Sequence, residues 1–175
     1  DSAMQVVQIT SLINANTISP TTPISGEICS GQVPIVIGGT VPTGGVGSYT
    51  YQWQENVNCD ISPTGTWTNI TVGGTLQNYT LMSPLSATRC FRRIAYDAGD
   101  CSSISNIAQV QVYPVISNNI IAASQQICNN TAPALLTGTQ AFGGSGTPTY
   151  QWEESADGIN FTLLSGATGQ DYQPG

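Results

Sequence analysis

The chain has no lysine and no histidine, and its three arginines stand against ten carboxylates, a formal net charge of −7 over 175 residues. Each absence excludes a class of function. Without histidine or lysine there is no Ser-His or Cys-His pair, no Schiff base and no histidine-ligated metal. So few cations do not suit nucleic acid, whose phosphates need basic contacts, or anionic membrane surfaces. No apolar run approaches the roughly 18 residues of a membrane span, so no membrane insertion is expected. Charged residues make up only 7%, against about 25% in ordinary soluble domains. Yet 39% hydrophobic content with regular alternation is not the composition of a disordered chain.

What the chain does have is an internal repeat. Tyr51, Gln52, Trp53 and Glu55 recur as Tyr150, Gln151, Trp152 and Glu154. At the same offset Gly44, Gly45 and Gly47 return as Gly143, Gly144 and Gly146, Thr40 as Thr139, Pro34 as Pro133, and Ile28-Cys29 as Ile127-Cys128. Downstream, with small gaps, Trp67 pairs with Phe161 and Tyr79 with Tyr172. Upstream, "QVQVYPVISNNIIA" from Gln109 matches "QVVQITSLINANTIS" from Gln5 at a different offset. A repeat of this kind sets the frame for every other assignment. Residues 1–10 are expected to be the last strand of a preceding copy, 11–114 one complete copy, and 115–175 the start of a further copy, so that the chain is a slice of a longer array.

Short runs rich in β-branched and aromatic residues ("VPIVIG", "YTYQWQE", "FRRIAY", "NIAQVQVY") are bounded by Gly, Pro, Asn and Thr clusters and read as strands. No helical period extends beyond a turn or two. Several short strands per copy of about a hundred residues predict an all-β fold of tandem immunoglobulin-like β-sandwiches. Within "YTYQWQE", Tyr51 and Trp53 share one face and Gln52 and Gln54 the other, the pattern of a half-buried strand. Tyr51, Trp53, Tyr150 and Trp152 are therefore expected in the core; the competing reading is an exposed aromatic that stacks on sugar.

Five cysteines, none spaced as Cys-x-x-Cys, read as an extracellular disulfide set rather than a zinc site. Cys29 belongs to the repeat because Cys128 answers it, and the counterpart of Cys101 would fall past Gly175. That arithmetic predicts Cys29–Cys101 as the repeat's own bridge, Cys59–Cys90 as a private second bridge, and Cys128 unpaired in this slice.

Arg89, Arg92 and Arg93 lie within five positions. On a strand Arg92 and Arg93 face opposite sides, so a partly buried guanidinium paired with Asp97, Asp100 or Glu55 is expected, an anion or sugar-acid contact being the alternative. Of the carboxylates only Glu55 recurs, as Glu154, so no glycosidase-like dyad is repeated; neither catalysis nor a cofactor is expected. Calcium needs several converging carboxylates, and 11–26 and 114–126 hold none; "YDAGD" and "SADG" read as turns. Asn-x-Thr occurs at Asn69, Asn78, Asn129 and Asn160.

The order "ICSG", "PTGGVGSYTYQW", "FTLLSGATGQDYQPG", "CFRRIA" and "GDCSSISNIAQVQVY" resembles, end to end, the tandem repeats of SprB-type gliding-motility adhesins of Bacteroidota. It departs at Cys90, where such repeats usually carry an aromatic residue. The resemblance implies a very large surface adhesin exported by the type IX secretion system, with surface polysaccharide or another substratum and the secretion and gliding machinery as partners. In that setting Asn-x-Thr is a chance product, and "DSA" resembles a short O-glycosylation motif, which would place sugar on Ser2.

A non-catalytic filament or stalk segment at the extracellular cell surface is therefore the leading expectation, and a discrete carbohydrate-binding module the alternative. A binding copy should carry exposed aromatics that its neighbours lack, whereas Trp53, Trp67 and Tyr79 all have aromatic counterparts. The junction "YPVISNNII" lacks Gly and charge. Val115, Ile116, Ile120 and Ile121 are expected to bury between sandwiches and stiffen the array.

Overall fold

A computed structural model describes residues 9, 11–33, 35–60, 65–122 and 124–175. The expected strand at 1–10 and Ser2 lie outside the described residues. The chain divides into two compact units, Asp1–Tyr113 and Pro114–Gly175. Among the described residues there is no helix, hence none long and apolar enough to cross a membrane.

Among the described residues unit 1 holds nine strands: β1 (Ile18–Thr22), β2 (Glu27–Cys29), β3 (Ile35–Gly39), β4 (Thr50–Asn56), β5 (Thr68–Asn69), β6 (Tyr79–Leu81), β7 (Arg89–Tyr96), β8 (Ser102–Ile104) and β9 (Ala108–Tyr113). One sheet has the order β1-β3-β6; the other runs β2-β9-β7-β4-β5, with β8 paired to β7. β2 runs parallel to β9 and the other pairs are antiparallel.

Strand alternation builds the core. In β9 Ala108, Val110 and Val112 turn inward, and in β7 Phe91, Arg93 and Ala95 do so. They meet Ile18, Ile35, Ile37 and Tyr79 of the smaller sheet, with Trp53, Ile28, Ile70 and Leu85 completing the apolar cluster. Two sheets enclosing one core are consistent with a β-sandwich. At about 1.5–3 kcal/mol per buried aliphatic side chain, this cluster dominates the favourable side of folding.

The repeated glycines have a steric cause. Gly44 has φ +80°, and a Cβ on it would lie 2.1 Å from the Leu12 carbonyl oxygen; on Gly143, at φ +101°, it would lie 2.3 Å from that of Val115. Both positions need the left-handed region and the absence of a side chain.

Unit 2 contains the short pair β10 (Glu153–Glu154) and β11 (Thr162–Leu163), plus isolated bridges Ser117–Phe142, Ile121–Gly138 and Leu136–Tyr172. It corresponds to residues 11–82 of unit 1. Segment 115–121 is bonded into this unit, with Ser117 exchanging hydrogen bonds with Phe142. Val115, Ile116, Ile120 and Ile121 are 57–60% exposed. The expected burial of these four residues is therefore corrected: all four side chains are exposed, and lateral bonding to 138–142 is not the cause, since Ile13 and Ile18 of unit 1 lie on a segment bonded in the same way and are buried.

Candidate functional site

The Tyr-Gln-Trp motif is a hydrogen-bonded bracket. Trp53 is fully buried; its N–H donates to Gly74 O (2.7 Å), its C=O accepts from Ile70 N–H (2.9 Å), and its indole Nε1–H donates to Leu76 O (2.8 Å). Gln52 Nε2 donates to both Trp53 O and Ile70 O, which explains why glutamine recurs beside the tryptophan. Unit 2 repeats the bracket. Trp152 bonds Ala167, Leu164 and Gly169 in the same way, and Gln151 spans Trp152 O and Leu164 O. Trp152 is buried, 5.6 Å from the Tyr172 ring; Trp53 lies 5.7 Å from Tyr79. Both tryptophans thus sit in the core, as expected, whereas Tyr51 and Tyr150 are only half-buried.

Tyr51 is half-buried because a cation covers it. Arg93 lies opposite Trp53 in the β4–β7 pairing and is fully buried, its guanidinium carbon 4.5 Å from the Tyr51 ring centre and 5.8 Å from that of Trp53. Nε and Nη2 donate to Asn16 Oδ1 (3.0 and 2.7 Å), Nη1 to Gln77 O (2.8 Å) and Nη2 to Thr40 O (2.7 Å). Asn16 is held in turn by its own donation to Ser103 O (2.6 Å). Burial pulls Arg93 below the usual arginine value, but an arginine stays protonated at any pH that concerns folding. The acid expected beside a buried guanidinium is absent here: neutral oxygens and an aromatic face satisfy it. Gly39 makes the room, since a Cβ there would lie 2.0 Å from Arg93 Nη1.

Of the other two arginines, Arg92 faces the opposite side, whereas Arg89, paired with inward-facing Val110, lies on the same face as Arg93 at the end of the strand. Arg92 stacks on Trp67 at 4.3 Å and donates through Nε to Gln54 Oε1 at 2.7 Å. Arg89 forms the ion pair with Glu55, Nη1 to Oε2 at 2.8 Å. Glu55 is thus the one expected acid that pairs with an arginine in this cluster, and its partner is Arg89.

Cys59 and Cys90 form the predicted disulfide, with Cα atoms 5.0 Å apart, and Cys128 carries an exposed free thiol. The predicted Cys29–Cys101 bridge does not form. Cys29 is an exposed free thiol level with Tyr113, beyond the Arg89 end of β7, whereas Cys101 adjoins β8 at the Tyr96 end. The eight residues of β7 lie between them, roughly 25 Å of strand, against a limit of about 7 Å for bridged Cα atoms.

Two acidic loops are turns, as their composition predicts. Asp97 accepts from the N–H groups of Val46, Gly99 and Cys101, and these bonds hold its carboxyl below the usual range. Asp157 accepts from Asn160 and Ile159 N–H and from Asn160 and Ser155 side chains, with a stronger shift in the same direction. Among the described residues no group of three or more His, Cys, Asp and Glu side chains converges to hold a metal.

Unit 2 carries a cavity of about 300 Å3 lined by Asn119, Gly138, Tyr150, Trp152, Phe161 and Gln170, among others. In the repeat frame these match Asn16, Gly39, Tyr51, Trp53, Trp67 and Gln77, the surroundings of Arg93 and Arg92. Sequence reasoning missed Asn16 and Gln77 as guanidinium acceptors. Their recurrence as Asn119 and Gln170 was the available signal.

The family described as "Domain of unknown function (DUF8696)" matches residues 14–114 and again 117–175. The chain belongs to this family. The two matched stretches follow the division into units and carry the two copies of the tryptophan bracket. No curated protein and no solved structure matches the chain.

Proposed function

We propose that this DUF8696 chain is a non-catalytic repeat segment of a large secreted adhesin, built of tandem immunoglobulin-like sandwiches and working as filament or stalk at the cell surface in adhesion and gliding. The observation that carries this reading is the tandem recurrence of one family in a single chain, down to the same glycines and the same tryptophan bracket. A Cys59–Cys90 disulfide suits an oxidising, extracellular compartment. The resemblance of the motif order to SprB-type repeats supplies the rest: export by the type IX system, surface polysaccharide or another substratum as the contact, and the gliding machinery as mover. The non-catalytic reading rests on the lack of histidine and lysine. The test is immunolabelling of intact source cells with antibody against residues 11–113. Surface label that disappears when type IX export is disabled is the expected result; label confined to permeabilised cells would overturn it.

The alternative, a discrete carbohydrate-binding module, has one feature in its favour: Phe161 is 58% exposed at the mouth of the unit 2 cavity. A glycan array probed with the chain is expected to show no selective binding. Saturable binding to one glycan, lost in Phe161→Ala, would replace the stalk reading by the module.

A further inference from the structure

In unit 1 the chain comes in at one end of the sheets and goes out at the other. Ser11 O accepts the Gly45 N–H beside Val46, whose own N–H goes to Asp97, so the entry is at the Tyr96 end of β7. Tyr113 pairs with Cys29 beyond Val110, which faces Arg89, so the exit is at the opposite end. The eight residues of β7 lie between, roughly 25 Å of strand. The entering run descends from the Asn14–Thr43 bridge through Ile18–Gly39 to Thr22–Val36, and the leaving run descends from Ala108 to Tyr113. Tension between Ser11 and Tyr113 therefore draws the two runs past each other along the strand axis.

These two runs are bonded directly to each other at two levels. At the upper level the Asn106 carboxamide stands in for a strand: Ile18 N–H donates to Asn106 Oδ1 (2.8 Å), and Asn106 Nδ2 donates to Ile18 O (2.9 Å). Ile18 can bond this way because Thr17 supplies the bonds to Thr40 on the β3 side, and alternation turns the next peptide groups outward. At the lower level β2 lies parallel to β9 over Glu27–Gln111, Ile28–Val112 and Cys29–Tyr113. Gln111 N–H to Gly26 O and Ser30 N–H to Tyr113 O, both 2.8 Å, frame that ladder. Asn16 adds a tie to β7 and the end of β8, accepting from Arg93 and donating to Ser103 O. The bonds between the two runs reach across the pull rather than along it. They are loaded together, not one after another, and that arrangement raises the barrier to forced opening.

We propose that unit 1 is a load-bearing module: tension between Ser11 and Tyr113 is held in shear by a clamp made of the Ile18–Asn106 pair and the β2–β9 ladder, and rupture of this clamp sets how long the unit survives under force. The Cys59–Cys90 disulfide joins the loop after β4 to β7 and bridges no residue of either run. It limits how far the unit extends once the clamp has gone and leaves the lifetime of the clamp alone. Forced unfolding follows the unfolding rate, whereas a disulfide acts mainly on the unfolded chain. The inference stands on the register of unit 1 and does not rest on the adhesin reading; the clamp works in any setting where the chain is pulled through this unit.

The test is constant-force spectroscopy on the full chain, tethered by its two ends. Unit 1 is recognised by its disulfide: reduction frees a sequence separation of 31 and is expected to lengthen the unfolding step by about 100 Å. Asn106→Ala, which removes two hydrogen bonds from the clamp, is expected to shorten the lifetime of the oxidised unit about tenfold or more. Reduction alone is expected to change that lifetime less than about twofold. A second arm leaves the clamp unaltered. With Cys101→Ser and Cys128→Ser the chain is tethered through a thioether at Cys29 and through its C-terminal end. Cys29 and Tyr113 end their parallel strands side by side, so this pull peels β9 from β2 rung by rung and bypasses Ile18–Asn106. The lifetime is then expected to shorten at least as much as in Asn106→Ala. Equal lifetimes under the two tethers, no change in Asn106→Ala, or the same shortening on reduction alone would overturn the proposal.

Discussion

Trp53 and Trp152 make the same four hydrogen bonds, yet their surroundings differ. Around Trp53, Ile18 and Ile28 are buried; their counterparts Ile121 and Ile127 are 57% and 50% exposed. Among the described residues no strand is paired across from Trp152. In unit 1 β7 supplies Phe91, Arg93 and Ala95 to the interior and links β4 to β9. The bracket is therefore a local structure, formed by residues within about 25 positions of one another, while the sealed core depends on a strand about 40 positions away in sequence. Local hydrogen bonds set the shape of the tryptophan site, and non-local pairing gives it depth.

The largest expected effect would break this contrast outright. Trp53→Ala should cost unit 1 about 3–5 kcal/mol, and Trp152→Ala less than half as much in unit 2. Urea unfolding with amide exchange, resolved by unit, measures both; equal losses would mean that burial of the two sites is equivalent.

Next comes the disulfide, found in unit 1 only. Reducing Cys59–Cys90 reopens a loop of sequence separation 31 and should lower unit 1 stability by about 3.5 kcal/mol on the chain-entropy argument, leaving unit 2 unchanged. In the unreduced native protein Cys29 and Cys128 should react with a maleimide while Cys59 and Cys90 do not, as peptide mapping would show. Protection of Cys29 would restore the bridge that the strand order excludes.

Several features were legible in the residues alone. Alternation is a local property, so β3, β4, β7 and β9 fall where "VPIVIG", "YTYQWQE", "FRRIAY" and "NIAQVQVY" place them, and Arg92 and Arg93 face opposite sides. Cys29 was mispaired because bridging depends on which ends of strands meet, and that follows from sheet order, which repeat arithmetic does not contain. The partners of Arg93 were missed because two of the three acceptors are main-chain oxygens, which carry no residue identity. The aliphatic junction was misread because apolar composition does not say what packs against a side chain: Ile13 and Ile18 share the backbone bonding of Ile116 and Ile121 and are buried.

The smallest expected effect concerns acid. Asp97 in unit 1 and Asp157 in unit 2 both have carboxyls held below the ordinary value of about 3.9. A depressed folded-state value contributes stability that is present above the unfolded value and is lost as pH falls through the folded one. Stability should hold from neutral pH to about 4 and decline below it, with Asp97→Asn flattening that decline for unit 1 only. Urea midpoints between pH 6 and 2.5 measure it; a decline beginning near pH 6 would point to other groups.

The placement of the three arginines has a further consequence. With no lysine in the chain, every peptide bond that a trypsin-like protease can cut follows Arg89, Arg92 or Arg93, all in β7 and flanked by β9 and β4. Such a protease must draw the strand into its own cleft, so cutting waits on opening of the whole sheet. The chain thus keeps its tryptic sites in an enclosed strand, and at protease levels where cutting outpaces reclosing the rate at which trypsin halves it times the opening of that strand.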